Sequence, residues 1–171
     1  RDAQTVTADA VVLAVPARPA ARLLRGVDAE AADLVGALDY ASVALVTLAL
    51  PPGTELPERS GLLVPASEGM LIKAATFFPR KWAHLRVADG PVLVRASVGR
   101  YGEERTLHAD DADLARGAYR DLARLLPGLP EPTASRVQRW GGALPQYAPG
   151  HLARVARARS RLPATLRLAG A

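Results

Sequence analysis

Cysteine is absent from the 171 residues, which excludes a disulfide scaffold, a zinc ribbon, an iron-sulfur site and a cysteine nucleophile. Histidine is scarce: His84, His108 and His151 are the only three. No two of them stand at the i, i+4 spacing that sets a pair of imidazoles on one helix face, so no metal site is expected. Long hydrophobic runs are missing too. The longest nearly apolar stretch, Ala41 to Pro52, contains Ser42 and Thr47 and falls short of the roughly 18 residues needed to span a bilayer. Arg1-Asp2-Ala3-Gln4 lacks the basic start and apolar helical core of a secretory signal. A cytoplasmic location is expected, with peripheral contact at the inner membrane face as the alternative. No Met opens the sequence and Leu168-Ala169-Gly170-Ala171 closes it on an apolar run, so the chain is expected to be a piece of a longer one.

Acidic residues are missing from one end. The net charge of +5 arises from 22 basic and 17 acidic residues, yet after Glu131 there are only Arg136, Arg139, Arg154, Arg157, Arg159, Arg161 and Arg167. The last forty residues thus carry +7 and the remainder −2 (+5 less +7). Arginine offers a planar donor fork that matches phosphate and carboxylate, which admits an anion-binding module; a solvated helix face gives the same composition. Nucleic acid is not expected as a partner, because aromatics make up 5% of the chain and none follows Tyr147 in the Arg-rich stretch. With 49% hydrophobic residues, the chain has material for one sizeable core, and one compact unit is expected.

Val11 to Val15 is a short continuous apolar run, the pattern of a strand buried on both faces. Pro19 is placed to open a helix that Gly26 ends, and Asp28 to cap a second. Tyr40 to Leu50 alternates and is rich in β-branched residues, with Pro51-Pro52-Gly53 as its stop. Leu62-Leu63-Val64 and Met70-Leu71-Ile72 flank Pro65 to Gly69 as a hairpin, and Val92 to Val98 follows as a further strand. Asp110 starts the clearest helix, with Leu114, Ala118, Leu122 and Leu125 on one face and Pro127-Gly128 at its close. A short strand over Val137 to Trp140, a helix after Pro149-Gly150 with Leu152, Val155 and Ala156 as its stripe, and a strand at Leu166 to Leu168 complete the pass. The fold class read from this order is α/β (α+β), with a mixed, largely antiparallel sheet and helices.

Catalytic signatures are few. There is no Gly-x-Ser-x-Gly, no P-loop, no Gly-x-Gly-x-x-Gly and no His-Glu-x-x-His. Glu103-Glu104 and Asp110-Asp111 are adjacent pairs whose side chains point apart, so neither reads as a general acid/base pair. Gly99-Arg100-Tyr101-Gly102 reads as a turn. No catalytic side chain is assigned.

Several segments resemble, in order and wording, the flavin amine-oxidase superfamily and within it the bacterial protoporphyrinogen and coproporphyrinogen oxidases. They are Ala10 to Ala17 (AVVLAVPA), Tyr40 to Ala44 (YASVA), Gly61 to Pro65 (GLLVP) followed by Glu68-Gly69, and Ile72 to Phe77 (IKAATF) with Lys81-Trp82. Arg95 to Arg100 (RASVGR), Arg139-Trp140, Leu144 to Tyr147 (LPQY) and Gly150-His151 complete the set. Phe78-Pro79-Arg80 and Ala83 depart from the small polar residues and proline usual in the bacterial relatives, so the loop there is expected to be altered.

The resemblance implies FAD as cofactor, a porphyrinogen and oxygen as reactants, and an active enzyme only in the full-length protein, this chain alone being inactive. The family's Gly-rich pyrophosphate turn and the motif after a Leu-Ala-Gly-Ala run are not in this chain, so its partner includes the missing remainder of the same protein. It divides the chain into residues 1–17, ending a flavin-domain segment, 18–135, the substrate domain, and 136–171, returning to an incomplete flavin domain. Trp140 is placed beside the flavin, with an ordinary core aromatic as the other reading, and Pro16 and Gly170 in the cofactor's surroundings. Lys73 and Arg95 are placed to neutralise the macrocycle's propionates or else to face solvent, Ser97 is placed with them on the substrate side, and Phe77 is placed either there, lining an apolar pocket, or in the core. Another flavin oxidase of the superfamily and a non-enzymatic anion-binding module are the alternatives.

Overall fold

The alternation over residues 40–50 and 92–98 builds the middle of a five-stranded sheet, and the apolar runs at the two ends of the sequence pair with each other. The computed structural model describes residues 4–170; Arg1, Asp2 and Ala3 of the opening segment and Ala171 of the closing run lie outside the described residues. In chain order the elements are β1 (Val11–Leu13), α1 (Ala17–Leu24), α2 (Ala29–Gly36), β2 (Tyr40–Leu50), β3 (Gly61–Leu63), β4 (Ile72–Phe77), α3 (Phe78–Lys81), β5 (Val92–Val98), α4 (Asp111–Leu125), β6 (Ala134–Pro145), α5 (His151–Ser160) and β7 (Leu166–Leu168). The mixed α/β class is as read from the sequence. No helix among the described residues is long and apolar enough to cross a membrane.

The chain forms two compact units rather than the expected one. The first runs to Tyr40 and resumes at Pro145; the second is Ala41–Leu144. Within the first unit, α1 and α2 bury small residues together with β1 and β7.

The second unit has strand order β3-β4-β5-β2-β6, and the pairs β3/β4, β4/β5 and β5/β2 are all antiparallel. Strand parity sends Ala44, Val46, Leu48 and Leu50 of β2, Val94, Ala96 and Val98 of β5, and Ile72, Ala75 and Phe77 of β4 to one buried face. Against that face lie Leu114, Ala118 and Leu122 of α4, each large side chain contributing about 1.5–3 kcal/mol by burial. Asp110 caps α4 by accepting from the Asp113 backbone N–H at 2.7 Å. Gly99 has φ +99°, and a Cβ there would stand 2.9 Å from the Ser42 carbonyl oxygen, so both conformation and space demand glycine. β6 is far longer than the expected 137–140. It is an edge strand, mostly exposed on both faces, and so carries no alternation to be read.

In the first unit β1 and β7 pair in parallel, Val11 opposite Leu166 and Leu13 opposite Leu168, as the family resemblance required. Their small core is Ala17, Ala20 and Leu24 of α1, Ala32 and Val35 of α2, and Ala158 of α5. The stripe expected on α5 is corrected: Leu152 is 84% exposed and Ala158 is the buried residue. α1 begins at Ala17, two residues before Pro19.

Candidate functional site

The face of the second unit's sheet turned away from α4 has a different chemistry. Register aligns Thr47, Arg95, Thr76 and Gly61 in one row across four strands, and Leu45, Ser97, Ala74 and Leu63 in the next. These are small, apolar or hydroxyl side chains around a single cation. The Arg95 Nε is buried without a hydrogen-bond partner. Its guanidinium lies over the Phe78 ring, 5.2 Å from the centroid, a cation–π contact that holds the group without neutralising it. No ion pair among the described residues includes Arg95. α3 positions Phe78, which also meets Trp82 edge-on at 5.2 Å.

Lys73 occupies the irregularity between Ile72 and Ala74, where an extra residue re-aims the strand. Burial, and then the charge of Arg100, hold its ammonium below the ordinary lysine range. Arg100 itself is structural: it donates to the carbonyls of Val64, Met70 and Ile72 at 3.0–3.2 Å and so staples the β3–β4 hairpin. Ser97 is half-buried on the same face as Arg95. Phe77 takes the core reading: parity turns it to the opposite face, where it is fully buried. Trp140 stands on the edge strand β6, 51% exposed.

A separate cavity of about 370 Å³ lies wholly within the first unit. Its wall includes Leu13 and Val15 after β1 and Leu168, Ala169 and Gly170 after β7, so it sits at the carboxyl ends of two parallel strands, where open α/β sheets take ligands. Gly170 therefore belongs to this wall, whereas Pro16 beside it in sequence to Val15 is exposed and Trp140 is a residue of the other unit. Sequence reasoning missed Tyr147 and His151, which line the cavity as a stacked pair with ring centroids 4.3 Å apart and planes at 29°. Only their nearness in the Pro-Gln-Tyr and Gly-His wording pointed to them.

Part of the Arg-rich end is taken up by carboxylates of the chain itself, while Arg154 and Arg159 line the first unit's cavity. Arg161 forks onto the Asp28 carboxylate at 2.8 and 2.9 Å and reaches Glu30 at 2.8 Å, and Arg157 pairs with Glu30 as well. The Arg161 guanidinium, with the Ala31 N–H, holds the Asp28 carboxyl below its ordinary value, and Asp28 in turn raises Arg161. In the second unit Arg139 pairs with Asp111 and donates to the Leu107 and Ala109 carbonyls, fastening β6 to the start of α4. Among the described residues no cluster of His, Asp and Glu could hold a metal ion.

A coproporphyrinogen III oxidase of Mycobacterium tuberculosis is 42% identical over 163 residues, 95% of this chain and 35% of its own length. One of Bacillus subtilis is 31% identical over 160 residues, 92% of this chain and 33% of its own. The crystal structure of an Exiguobacterium protein assigned as a protoporphyrinogen oxidase superposes with a TM-score of 0.78 at 31% identity, covering 95% of this chain and 36% of that one. The chain thus spans about a third of the length of these relatives. The family model for flavin containing amine oxidoreductases matches residues 1–171, and the chain belongs to that family.

Proposed function

We propose that this chain is part of an enzyme that oxidises a porphyrinogen, coproporphyrinogen III or protoporphyrinogen IX, to the porphyrin, with FAD as cofactor and oxygen as final electron acceptor. The observation that carries the reading is the open sheet face: small-chained, and furnished with one half-buried cation, Arg95, that has no ion-pair partner among the described residues. A flat macrocycle edged with propionates supplies the missing carboxylate to Arg95 and apolar area to Leu45, Ala74 and Leu63. Lys73 adds a second cation on the neighbouring strand. The lack of an acid/base pair fits redox chemistry in which the cofactor does the electron transfer and the protein positions the reactants.

The residues fit one part of FAD. The cavity at the ends of β1 and β7 has mostly apolar walls, the Tyr147 and His151 rings and the side chains of Arg154 and Arg159 in its lining, and an open approach at Gly170; these admit a planar ring, while the Gly-rich turn that holds a pyrophosphate is absent from the sequence. When bound, a flavin accepts hydride equivalents from the substrate over several rounds and passes the electrons to oxygen. Tyr147, Leu168 and Gly170 are the residues here that would shape its surroundings.

Mixing the full-length flavoprotein anaerobically with each porphyrinogen, and following flavin absorbance, tests the reading. Bleaching by at least one of them is expected, and no bleaching by either would overturn it. Arg95→Ala should raise KM roughly tenfold or more, the worth of a charged hydrogen bond, and more for coproporphyrinogen, which carries more carboxylates.

A further inference from the structure

We infer that Phe78 is the positioning residue for Arg95: its ring holds the guanidinium on the open sheet face of the second unit, where a carboxylate of the substrate meets it. The inference rests on the porphyrinogen reading above and deepens it. Three observations carry it. First, parity puts Phe78 on that face. Ala74 and Thr76 of β4 share a side, Phe77 opposite Val94 takes the other while still extended at φ −95° and ψ 98°, and the next step returns Phe78 to the side of Arg95. Second, the contact is direct, the guanidinium carbon standing 5.2 Å from the ring centroid, within the roughly 6 Å reach of a cation–π interaction. Third, no other group of the chain competes for the cation. Arg95 enters no ion pair among the described residues, and Nε is the one nitrogen of its side chain that is buried without a partner. The outer fork of the guanidinium, held by no acceptor, is thus the part left for a carboxylate.

The ring that does the holding is itself held. Trp82 meets it edge-on with the planes at 84°, and the Trp82 N–H donates to the Phe78 carbonyl at 2.9 Å, closing the single turn of α3. Lys81 places its Nζ 4.8 Å from the Trp82 centroid, so each of the two rings carries one cation. Arg80 donates to the Leu56 carbonyl at 2.9 Å and Arg86 to the Pro79 carbonyl at 3.1 Å, which ties the turn to the segments around it. An aromatic platform orders a long, rotamer-rich side chain and leaves its charge intact. A carboxylate in the same place would neutralise Arg95 and compete with the substrate. An aliphatic side chain would offer area without the ring's negative face, and the substrate would then have to order the guanidinium as it binds.

The test uses the full-length flavoprotein with Phe78→Leu, Phe78→Met, Phe78→Tyr, Arg95→Ala, and Phe78→Leu combined with Arg95→Ala, each checked for folding by circular dichroism. KM and kcat are measured with coproporphyrinogen III. The Kd of the stable porphyrin, coproporphyrin III, is read from quenching of its fluorescence and does not depend on turnover. Phe78→Leu and Phe78→Met, two aliphatic replacements of similar bulk, should each raise KM and Kd roughly 3- to 10-fold and leave kcat within about twofold. Phe78→Tyr, which keeps the ring, should retain the wild-type values. With Arg95 already replaced by alanine, Phe78→Leu should add less than about twofold, because the ring acts through the guanidinium. If the aliphatic variants leave KM and Kd unchanged, or if Phe78→Leu has the same effect with and without Arg95, the ring serves packing only and the inference fails while the oxidase reading stands. If neither porphyrinogen bleaches the wild-type flavin, the oxidase reading fails and this inference with it.

Discussion

The two units bury their apolar residues to different degrees. The second closes its own core: parity puts ten side chains from β2, β4 and β5 on one face and α4 covers them. The first has two strands of three residues and a core built largely of alanine, and it leaves Val11 and Val12 47% and 61% exposed on a parallel pair. Parallel strands are ordinarily covered on both faces. The first unit also carries ion pairs at its surface, of Arg157 and Arg161 with Asp28 and Glu30. The lesson is that a ligand cavity sits in the less filled unit, while the well-filled unit offers an open sheet face.

The contrast is tested first by truncation in the second unit. Phe77→Ala, removing a fully buried ring, should cost about 3–5 kcal/mol in urea unfolding followed by circular dichroism. A loss under 1 kcal/mol would show that the core is less close-packed than described. Asp121→Ala should cost less, about 1–3 kcal/mol, since the buried carboxylate accepts from the Ile72 N–H at 3.2 Å and its loss orphans that donor.

The first unit should instead respond to pH. Asp28 is held below its ordinary 3.8 by Arg161, so its contribution is fully present above that value and is lost as pH falls through the lower folded value. Acid titration of the first unit, followed by amide exchange, should show weakening below about pH 4 that Asp28→Asn abolishes; an unchanged acid limb in the variant would break the contrast. The 171-residue chain alone should not retain FAD on gel filtration, for want of a pyrophosphate turn. A yellow preparation would contradict this. Arg157→Ala should have the smallest effect, within about 1 kcal/mol, because exposed pairs are worth little.

Much of the fold was legible. β2 and β5 were read at their observed bounds because each has one buried face, and alternation is the direct record of that. The Asp28 and Asp110 caps were read from residue type and position, since the chemistry of an N-cap is local. α3 and the full length of β6 were not, the first because a single turn leaves no period and the second because an exposed edge leaves no pattern. Arg95 and Ser97 lie on the open face and Phe77 on the buried one, a division set by strand register and parity that residue type alone does not give.

Local order, then, was the sequence's own: strands, helices, caps and the wording that marks the family, all set by neighbours a few residues apart. The tertiary structure decided what depends on distant partners. It closed β1 onto β7, brought Arg161 to Asp28 across 133 positions, left Arg95 over a ring instead of a carboxylate, and stacked His151 on Tyr147. Such contacts are fixed by packing and register, which no residue type or spacing encodes alone.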